Sequence, residues 1–503
     1  MWDGGLFIGR NVATGVELSA DKIQNTFATY GIESAICSSY KSIYFDFREG
    51  NQDVLDLSKR NPGRVVPSLI IPPVSLSPST VSAYLKDCYQ QGARVLGFYH
   101  SPKYYEVPFD CYAVRGLAKE AAKQGYCLQF GLTQVEELSK IADLYGSLEC
   151  PILIRWMTGR TYKHLTEVIS VHNQFKNFYV DVGSVVNAGG IRLLVEECGS
   201  ERLYAASNIP EALFYPTRFI QEVAEIKDSD RQNILGKNLA RIFNAKASET
   251  TAQLSKDGQE RWERLKKFKK IDTHVHLDGW NILEPEIAPQ FILKHFENLN
   301  YQKVIIIPVR ALNDDLVLAN AKTQEVLSEY DEFFGMIVVD PLRPEDSIQA
   351  IEAYSKNQKF VGLKSIQDLS GILLDDAIYD VFFEAAEKYK LPVMAHIPGM
   401  LEAAKKHPGT NFLCAHSNWG RIKHFVPQKN IYFDIATSHA DTNESRLDLL
   451  IEKAGVERII YSCDAQLIHP AWTLGKLASY EISDKDLEKI FYQNAKALFP
   501  RIN

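Results

Sequence analysis

The two halves of this sequence resemble each other, and this repeat constrains the fold more than any local pattern does. Three pairs of segments match in the same order: EECGSERLYAASN (196–208) with EKAGVERIIYSCD (452–464), NFYVDV (177–182) with NIYFDI (430–435), and ILGKNLARIF (234–243) with IFYQNAKALF (490–499). Small changes in the offset between pairs are what loop insertions would produce. The sequence therefore predicts one unit of ~240 residues that is present twice, as a tandem duplication.

Within each half, short apolar runs alternate with helix-like segments. The runs lie at 2–8, 34–37, 65–71, 94–99, 126–130, 151–156, 178–182 and 202–206, and at 270–277, 303–309, 333–339, 359–365, 391–396, 411–416, 430–435 and 458–463. Apolar strands that alternate with helices indicate a parallel sheet covered on both faces. Eight such units in ~240 residues are typical of one barrel. We predict an α/β chain of two tandem (β/α)8 TIM-type barrels. A doubly wound open sheet is the alternative, but no GxGxxG turn supports it.

A polar, charged stretch separates the two halves. NAKASETTAQLSKDGQERWERLKKFKK (244–270) contains no strand-like run and continues into an amphipathic pattern, with Trp262 and Leu265 as the inward pair. We therefore predict a first domain at 1–246, a linker helix at 247–268 and a second domain at 269–503.

Composition excludes several function classes. With 56 basic and 63 acidic residues, the net charge of −7 gives no electrostatic footprint for nucleic acid or an anionic membrane. The eight cysteines are never closer than 16 residues, so no close metal-binding or redox pair exists. The N-terminal residues lack a signal-peptide pattern, and no apolar run approaches the ~18 residues of a membrane span. We expect a cytoplasmic protein with a small-molecule substrate.

Ionisable residues stand at the ends of several apolar runs in the second half. His274 and His276 alternate with Val275 on the first run, so both side chains point to one side of an extended strand. Later runs end in the residues His396, His416 and Asp464. Because barrel active sites form at the carboxyl ends of the strands, these positions carry the most functional information.

Spacing assigns these residues to strands that can meet. At ~30 residues per strand–helix unit, the 120 residues from His276 to His396 amount to four units. His416 follows after one short unit and Asp464 after two more. The residues therefore fall on strands 1, 5, 6 and 8, and closure of a barrel brings strands 1 and 8 together. We predict that all five groups converge at one mouth.

This set resembles the amidohydrolase superfamily, specifically the amidohydrolase-2 branch of mononuclear decarboxylases, lactonases and hydratases. The resemblance is carried by the His-x-His pair, by the three later strand-end residues and by the closing segment IFYQNAKALF. It implies that His274, His276, His396 and Asp464 surround one divalent metal, with zinc expected and manganese as the alternative. It also implies that Asp464 and His416 are catalytic, Asp464 as the proton carrier and His416 beside the bound water or substrate.

Further strand-end residues are candidates for substrate binding: Lys364, Arg310, Arg421, His439 and His469. In binuclear relatives a strand-4 lysine is carboxylated and bridges two metals, so Lys364 leaves a second metal open; an anchor for a substrate carboxylate or a structural ion pair is the favoured alternative. The arginines could bind a carboxylate in fork geometry or simply be solvated.

We predict a metal-dependent hydrolase of a small polar, carboxylate-bearing amide or lactone. Decarboxylase relatives carry a glycine-rich turn after the strand-6 histidine, and the residues Ser417-Asn418-Trp419-Gly420 here count against decarboxylation. A decarboxylase or hydratase of the same family remains an alternative. A phosphoesterase barrel of the type that also opens with His-x-His, and a non-catalytic scaffold, are the other hypotheses.

The first half lacks this set. Gly5 and Phe7 stand where His274 and His276 do, Gly131 or Leu132 stands at His396, Arg155 or Trp156 at His416, Asn208 at Asp464 and Tyr99 at Lys364. A cation needs several converging donors, so we predict a metal-free pseudoenzyme barrel. We expect it to pair with the active barrel within the chain, with further homo-oligomerisation open. Binding of a regulatory anion by Tyr99, His100 and Arg155 is the rival idea.

Overall fold

A computed structural model describes residues 1–502 except 13–14, 73–76, 100–107, 158–164, 188, 211–213, 248–253, 280–287, 366 and 437–445. The chain forms two compact units, Met1–Arg261 and Trp262–Asn503. The division falls inside the predicted linker, within a helix that spans Lys256–Lys267. Trp262 and Leu265, the predicted inward pair of this helix, are both buried.

The first unit is built on a nine-stranded sheet in the order β2-β1-β3-β4-β5-β6-β7-β8-β9. Its strands are β1 Trp2–Arg10, β2 Glu17–Leu18, β3 Ser34–Ser39, β4 Val65–Ile70, β5 Val95–Tyr99, β6 Cys127–Leu132, β7 Ile152–Trp156, β8 Phe178–Asp181 and β9 Leu203–Tyr204. The helices are α1 Ile23–Tyr30, α2 Lys41–Tyr44, α3 Phe47–Arg60, α4 Pro78–Gln90, α5 Tyr112–Lys123, α6 Glu136–Tyr145, α7 Leu165–Gln174, α8 Gly190–Cys198, α9 Phe214–Val223, α10 Asp228–Gln232 and α11 Asn238–Ile242. Helix α12 Lys256–Lys267 begins in the first unit and ends in the second. Among the strands that the structure describes in this unit, β1 and β2 pair in antiparallel fashion and the others are parallel.

The second unit is built on an eight-stranded parallel sheet in sequential order, β10 to β17. Its strands are β10 Lys270–Leu277, β11 Tyr301–Pro308, β12 Phe333–Val339, β13 Phe360–Ser365, β14 Val393–Ala395, β15 Phe412–Cys414, β16 Ile431–Asp434 and β17 Ile459–Ile460. The helices are α13 Pro289–Phe296, α14 Val309–Asn313, α15 Leu316–Glu329, α16 Pro344–Tyr354, α17 Gln367–Ser370, α18 Asp380–Tyr389, α19 Met400–Lys406, α20 Trp419–Ile422, α21 Leu447–Ala454, α22 Pro470–Ala478, α23 Asp484–Glu488 and α24 Asn494–Leu498.

The predicted α/β class with two parallel, barrel-like sheets is confirmed, and each predicted run contains a strand. The sequential strand order excludes the doubly wound alternative, in which the order reverses at a switch point. The antiparallel strand β2 was not predicted, because its two residues carry no periodic signal. Strands β14, β15 and β17 are shorter than their apolar runs, so the polar residues that follow them lie beyond the hydrogen-bonded ladder.

In each unit a buried aspartate joins the first strand to the segment that follows the last strand. Asp272 Oδ1 accepts hydrogen bonds from the backbone N–H groups of His274 and Cys463, both at 3.1 Å. Asp3 Oδ1 accepts from those of Gly5 at 3.0 Å and Ser207 at 2.9 Å. We call Asp3 and Asp272 the closing carboxylates. A bridge between Val275 and Ala465 also joins the two ends of the second sheet.

Apolar packing supports the sheet of each unit. In the second unit one cluster joins Ile305, Met336 and Leu413 of the sheet with Leu498 and Phe499 near the chain end. A corresponding cluster in the first unit joins strand residues to Leu239 and Ala240 of α11. Burial of this kind stabilises each unit by roughly 25 cal/mol per Å² of apolar surface removed from water. Among the described residues, no helix is both long enough and apolar enough to cross a membrane.

Lys270 closes the amino-terminal end of the second sheet, and its removal should destabilise that unit. The Nζ atom donates to the carbonyl oxygens of Leu265 at 2.7 Å, Phe268 at 2.8 Å and Leu299 at 2.8 Å. Lys270→Met leaves these buried acceptors without their donor and should lower the free energy of unfolding by about 3 kcal/mol, as measured by urea denaturation. The control Lys303→Met removes an exposed contact to the Asp331 carbonyl and should change stability little. Equal losses in the two variants would contradict this assignment.

Candidate metal centre

Five ionisable side chains gather at the carboxyl end of the second sheet. His274 and His276 lie on β10, and His396, His416 and Asp464 follow β14, β15 and β17 within one to four residues. His274, His276 and Asp464 are buried, whereas His396 and His416 are partly exposed. The five side chains thus form one cluster at the ends of strands 1, 5, 6 and 8 of this sheet. The cluster is closed to solvent on the side of the buried residues and open on the side of His396 and His416.

Asp464 lies at the centre of this cluster. Its Oδ1 is 2.9 Å from His276 Nε2 and 3.6 Å from His274 Nε2, and its Oδ2 is 3.9 Å from His416 Nε2. Among the described residues, the ligand atoms of His274, His416 and Asp464 all lie within 4.8 Å of one another. Three imidazoles thus direct the same nitrogen, Nε2, at one carboxylate.

The other two histidines border this group of three. The ring of His276 is centred 5.2 Å from that of His274, and the ring of His396 is centred 5.3 Å from that of His416. His416, to which the resemblance gives a place beside the bound water or substrate, lies among the candidate ligand atoms of His274 and Asp464. The division of roles between His396 and His416 stays a prediction.

Two of the clustered residues have a left-handed backbone. His416 has φ 55° and Asp464 has φ 61°. Residues with a Cβ pay about 1–2 kcal/mol for this conformation, so it persists only where the surrounding structure holds it. Asn208, which stands at the position of Asp464 in the first unit, has φ 57°. The backbone that directs this side chain is therefore common to both units.

Burial sets the charge state of the centre. Burial, and next the charge of Lys364, lowers the pKa of His274 well below its usual value. Burial is also the main cause that lowers the pKa of His416. Burial alone would raise the pKa of Asp464, but the adjacent rings of His416, His276 and His274 outweigh it and hold that pKa below the usual range. The lowered pKa values of His274 and His416 favour neutral rings, and that of Asp464 favours an ionised carboxylate, which are the forms that bind a metal.

Asp434 was not predicted and belongs to the same centre. It ends β16, is fully buried, and its Oδ2 is 2.8 Å from His274 Nδ1. The sequence carried a signal, since Asp434 directly follows the apolar residues 431–433 in NIYFDI, as polar residues follow other apolar runs of the second half. The counterpart NFYVDV has Asp181 at the same place, so the aspartate alone does not distinguish a metal centre.

The structure places the candidate substrate residues unevenly. Lys364 is buried at the end of β13, close enough to affect His274. Arg310 forms a surface ion pair with Asp314 at 2.8 Å, and Arg421 is exposed. His469 Nδ1 accepts the backbone N–H of Ala471 at 3.0 Å and so caps α22. His439 lies outside the described residues. Substrate contacts by these five residues stay predictions.

A divalent metal ion fits this donor set. Imidazole nitrogens and a carboxylate oxygen are the ligands that zinc and manganese accept in proteins. Asp434 on the far nitrogen of His274 is the outer hydrogen-bond partner that a metal-ligating histidine typically has. The cluster is therefore a candidate site for one divalent ion, held by Asp464 and the surrounding histidines.

Comparison with known proteins agrees with this chemistry. Residues 271–501 match the amidohydrolase family. The family model is described as "Amidohydrolase", of the amidohydrolase-2 type, and it covers the second half of the chain. The match supports a metal-dependent enzyme in that half and leaves the reaction open. No curated protein matches the chain.

Several solved structures are similar to part of the chain at low identity. A putative amidohydrolase from Staphylococcus aureus is 18% identical, with a TM-score of 0.39, over 46% of this chain and 100% of that chain. A 2,6-dihydroxybenzoate decarboxylase from Rhizobium is 15% identical, with a TM-score of 0.38, over 46% and 99%. A 5-carboxyvanillate decarboxylase from Novosphingobium aromaticivorans, complexed with manganese, is 15% identical, with a TM-score of 0.38, over 47% and 97%.

Loss of a central imidazole should remove the metal. We expect the full chain to bind about one divalent ion, and His274→Ala to reduce the bound metal to near zero, as measured by elemental analysis after dialysis. His407→Ala is the matched control, since His407 pairs with Asp380 away from the cluster. Metal retained by the His274 variant would exclude this centre, and two tightly bound ions per chain would overturn the mononuclear assignment.

Proposed function

We propose that the second unit is a metal-dependent hydrolase that acts on a small polar amide or lactone bearing a carboxylate. The observation that carries the proposal is the approach of His274, His416 and Asp464 to within 4.8 Å, with His276 in contact with Asp464. This cluster lies at the carboxyl end of a parallel sheet, where barrel enzymes hold their catalytic groups.

A divalent ion bound by His274, His276, His396 and Asp464 would lower the pKa of a water and polarise a carbonyl group. Asp464 would accept the proton of the attacking water at Oδ2, the oxygen that faces His416, and would then deliver it to the leaving group. His416, neutral because of its burial, would donate from its ring nitrogen to the oxygen on which negative charge develops.

Two buried side chains support a polar substrate: Lys364 favours a carboxylate, and Gln367 favours a group with an N–H or O–H hydrogen. Lys364 would place an ammonium group at the mouth, where it complements a carboxylate. Gln367 Nε2 donates to the carbonyl of His396 at 2.7 Å, and its buried Oε1 has no hydrogen-bond partner among the described residues. Since buried amide oxygens normally accept a hydrogen bond, Gln367 would accept one from the substrate.

The same centre would serve a decarboxylase or hydratase, which is the alternative closest to the proposal. Product analysis separates the two. Hydrolysis converts an amide or lactone into an acid and an amine or alcohol, whereas decarboxylation releases CO2 from an aromatic or unsaturated acid. A phosphoesterase would instead release inorganic phosphate from a phosphate ester.

Asp464→Asn should abolish turnover without unfolding the protein. The variant removes the proton acceptor, so kcat on a responsive substrate from a panel of carboxylate-bearing lactones and amides should fall at least ~100-fold. The fold should survive, because asparagine tolerates the left-handed backbone and Asn208 already adopts it in the first unit. The variant Asp331→Asn, at a fully exposed carboxylate that pairs with Lys359, serves as the control. Unchanged turnover in the Asp464 variant would contradict the proposal.

We also propose that the first unit is a duplicated copy that no longer binds metal. Shared hydrogen bonds support the common origin. Asn238 Nδ2 donates to the carbonyl groups of Ser200 at 2.6 Å and Leu203 at 2.7 Å. Asn494, 256 positions later, donates to those of Val456 at 2.7 Å and Ile459 at 2.8 Å, positions offset by the same 256 residues. The closing carboxylates add a second matching set of contacts.

Arg155 supports the loss of metal in the first unit. Its guanidinium is fully buried and donates to Asn208 Oδ1 at 2.6 Å, the Tyr99 hydroxyl at 3.3 Å and the Gly5 carbonyl at 2.8 Å. These partners stand at the positions of Asp464, Lys364 and His274. A Cβ on Gly5 would lie 2.5 Å from the guanidinium carbon, so no side chain fits there beside Arg155. The permanent cation would replace the metal. His100, from the rival anion site, lies outside the described residues.

Arg155→Met should destabilise the first unit. The change leaves the buried Oδ1 of Asn208 without its donor and removes one of the two donors to the Gly5 carbonyl, so we expect a loss of about 3 kcal/mol. Hydrogen–deuterium exchange with peptide resolution should show faster exchange in β1, β7 and β9 and little change in the second unit. The control is Arg192→Met, which removes a partly exposed arginine with ion pairs to Glu196 and Glu225. Unaltered exchange in the first unit, or metal binding by that unit in the unchanged protein, would contradict the proposal.

A further inference from the structure

Asp434 is held by contacts that leave only one of its oxygens for His274. The carboxylate is fully buried, and its Oδ1 accepts the backbone N–H of Ala436 at 2.5 Å and the hydroxyl of Ser462. Its Oδ2 faces His274 Nδ1 at 2.8 Å. Because two donors fix the plane of the carboxylate, the direction of Oδ2 is fixed as well.

This contact selects the tautomer of His274. The Oδ1 atom of Asp434 already accepts two hydrogen bonds, and its Oδ2 atom accepts a third from His274. The hydrogen of the His274 ring is therefore on Nδ1. The other ring nitrogen, Nε2, then presents a lone pair to the centre, where it lies 3.6 Å from Asp464 Oδ1. A metal needs that lone pair, and a hydrogen on Nε2 would block it.

The first unit shows which part of this arrangement is structural. Asp181 ends β8 as Asp434 ends β16, and both are fully buried. Asp181 accepts the backbone N–H groups of Gly183 at 2.6 Å, Ala206 at 2.9 Å and Trp156 at 3.5 Å. The position of His274 is taken there by Gly5, which has no ring to orient. An aspartate at this strand end thus stabilises the loop in both units, and only in the second unit does it also contact an imidazole.

We propose that Asp434 is a positioning residue that fixes His274 with Nε2 free for the metal, a role that rests on the proposed metal centre. The role is separable from loop stabilisation because Asp181 performs the second without the first. Asp434→Asn is the informative change. The new amide can keep its oxygen on Ala436 and Ser462, and it then turns an N–H₂ group toward His274 Nδ1. The ring must answer with a lone pair on Nδ1 and a hydrogen on Nε2.

The test compares the metal affinity of the full chain with that of Asp434→Asn and Asp181→Asn, using Zn²⁺ and Mn²⁺ in competition with a chelator. We expect Asp434→Asn to lower the affinity for both ions ~10–100-fold and Asp181→Asn to leave both affinities unchanged. The urea midpoints of the metal-free proteins measure fold stability independently of metal binding. A loss of stability that both variants share reflects the loss of loop stabilisation.

The outcomes separate this inference from the proposed function. If the unchanged chain binds neither ion, the metal centre itself is wrong. If it binds metal and Asp434→Asn binds equally well, the positioning role is overturned while the centre stands. Should Asp434→Asn fail to fold, Ser462→Ala provides the second variant, because Ala206 occupies that position in the first unit. Without the Ser462 hydroxyl, Asp434 should orient His274 less well, and the metal affinity should fall ~3-fold or more. An unchanged affinity in this variant would overturn the positioning role.

Discussion

The closing carboxylates fix the relation between the first strand of each sheet and the segment after the last. Asp272 accepts the N–H of His274 and that of Cys463, the residue just before Asp464. One buried oxygen therefore sets the register between the two segments that carry the histidine pair and the central carboxylate. A shift of one residue on either side would turn a side chain of the centre toward the helices. The metal centre depends on this contact even though Asp272 does not belong to the cluster of five residues.

The fold was predictable because parallel sheets leave a strong trace in sequence. Strands such as β11 and β12 are covered on both faces, so they appear as unbroken apolar runs, and their spacing gives the number of units. Their ends were less predictable. The run at 411–416 yields only Phe412–Cys414 as a strand, because His416 turns into the left-handed region and leaves the ladder. No periodicity encodes such a turn.

The centre was predictable to the extent that its residues are ionisable and end apolar runs. His274, His276, His396, His416 and Asp464 meet both conditions. Asp434 meets them too, but its role depends on which atom it contacts, and a sequence does not give distances. The same limit applies to Arg310 and His469, which have suitable chemistry at suitable positions. Arg310 is paired with Asp314, and His469 caps α22. Residue type and position in the sequence do not reveal such local contacts.

The packing around Arg155 in the first unit also limits which substitutions could introduce metal-ligating side chains there. In the first unit, Arg155 requires a glycine at residue 5, because its guanidinium fills the space that a side chain at residue 5 would need. An imidazole would need the space of the guanidinium, and replacement of Arg155 alone would leave the buried Oδ1 of Asn208 without its donor. A metal-ligating side chain at residue 5 would therefore require a second substitution, at Arg155, at the same time.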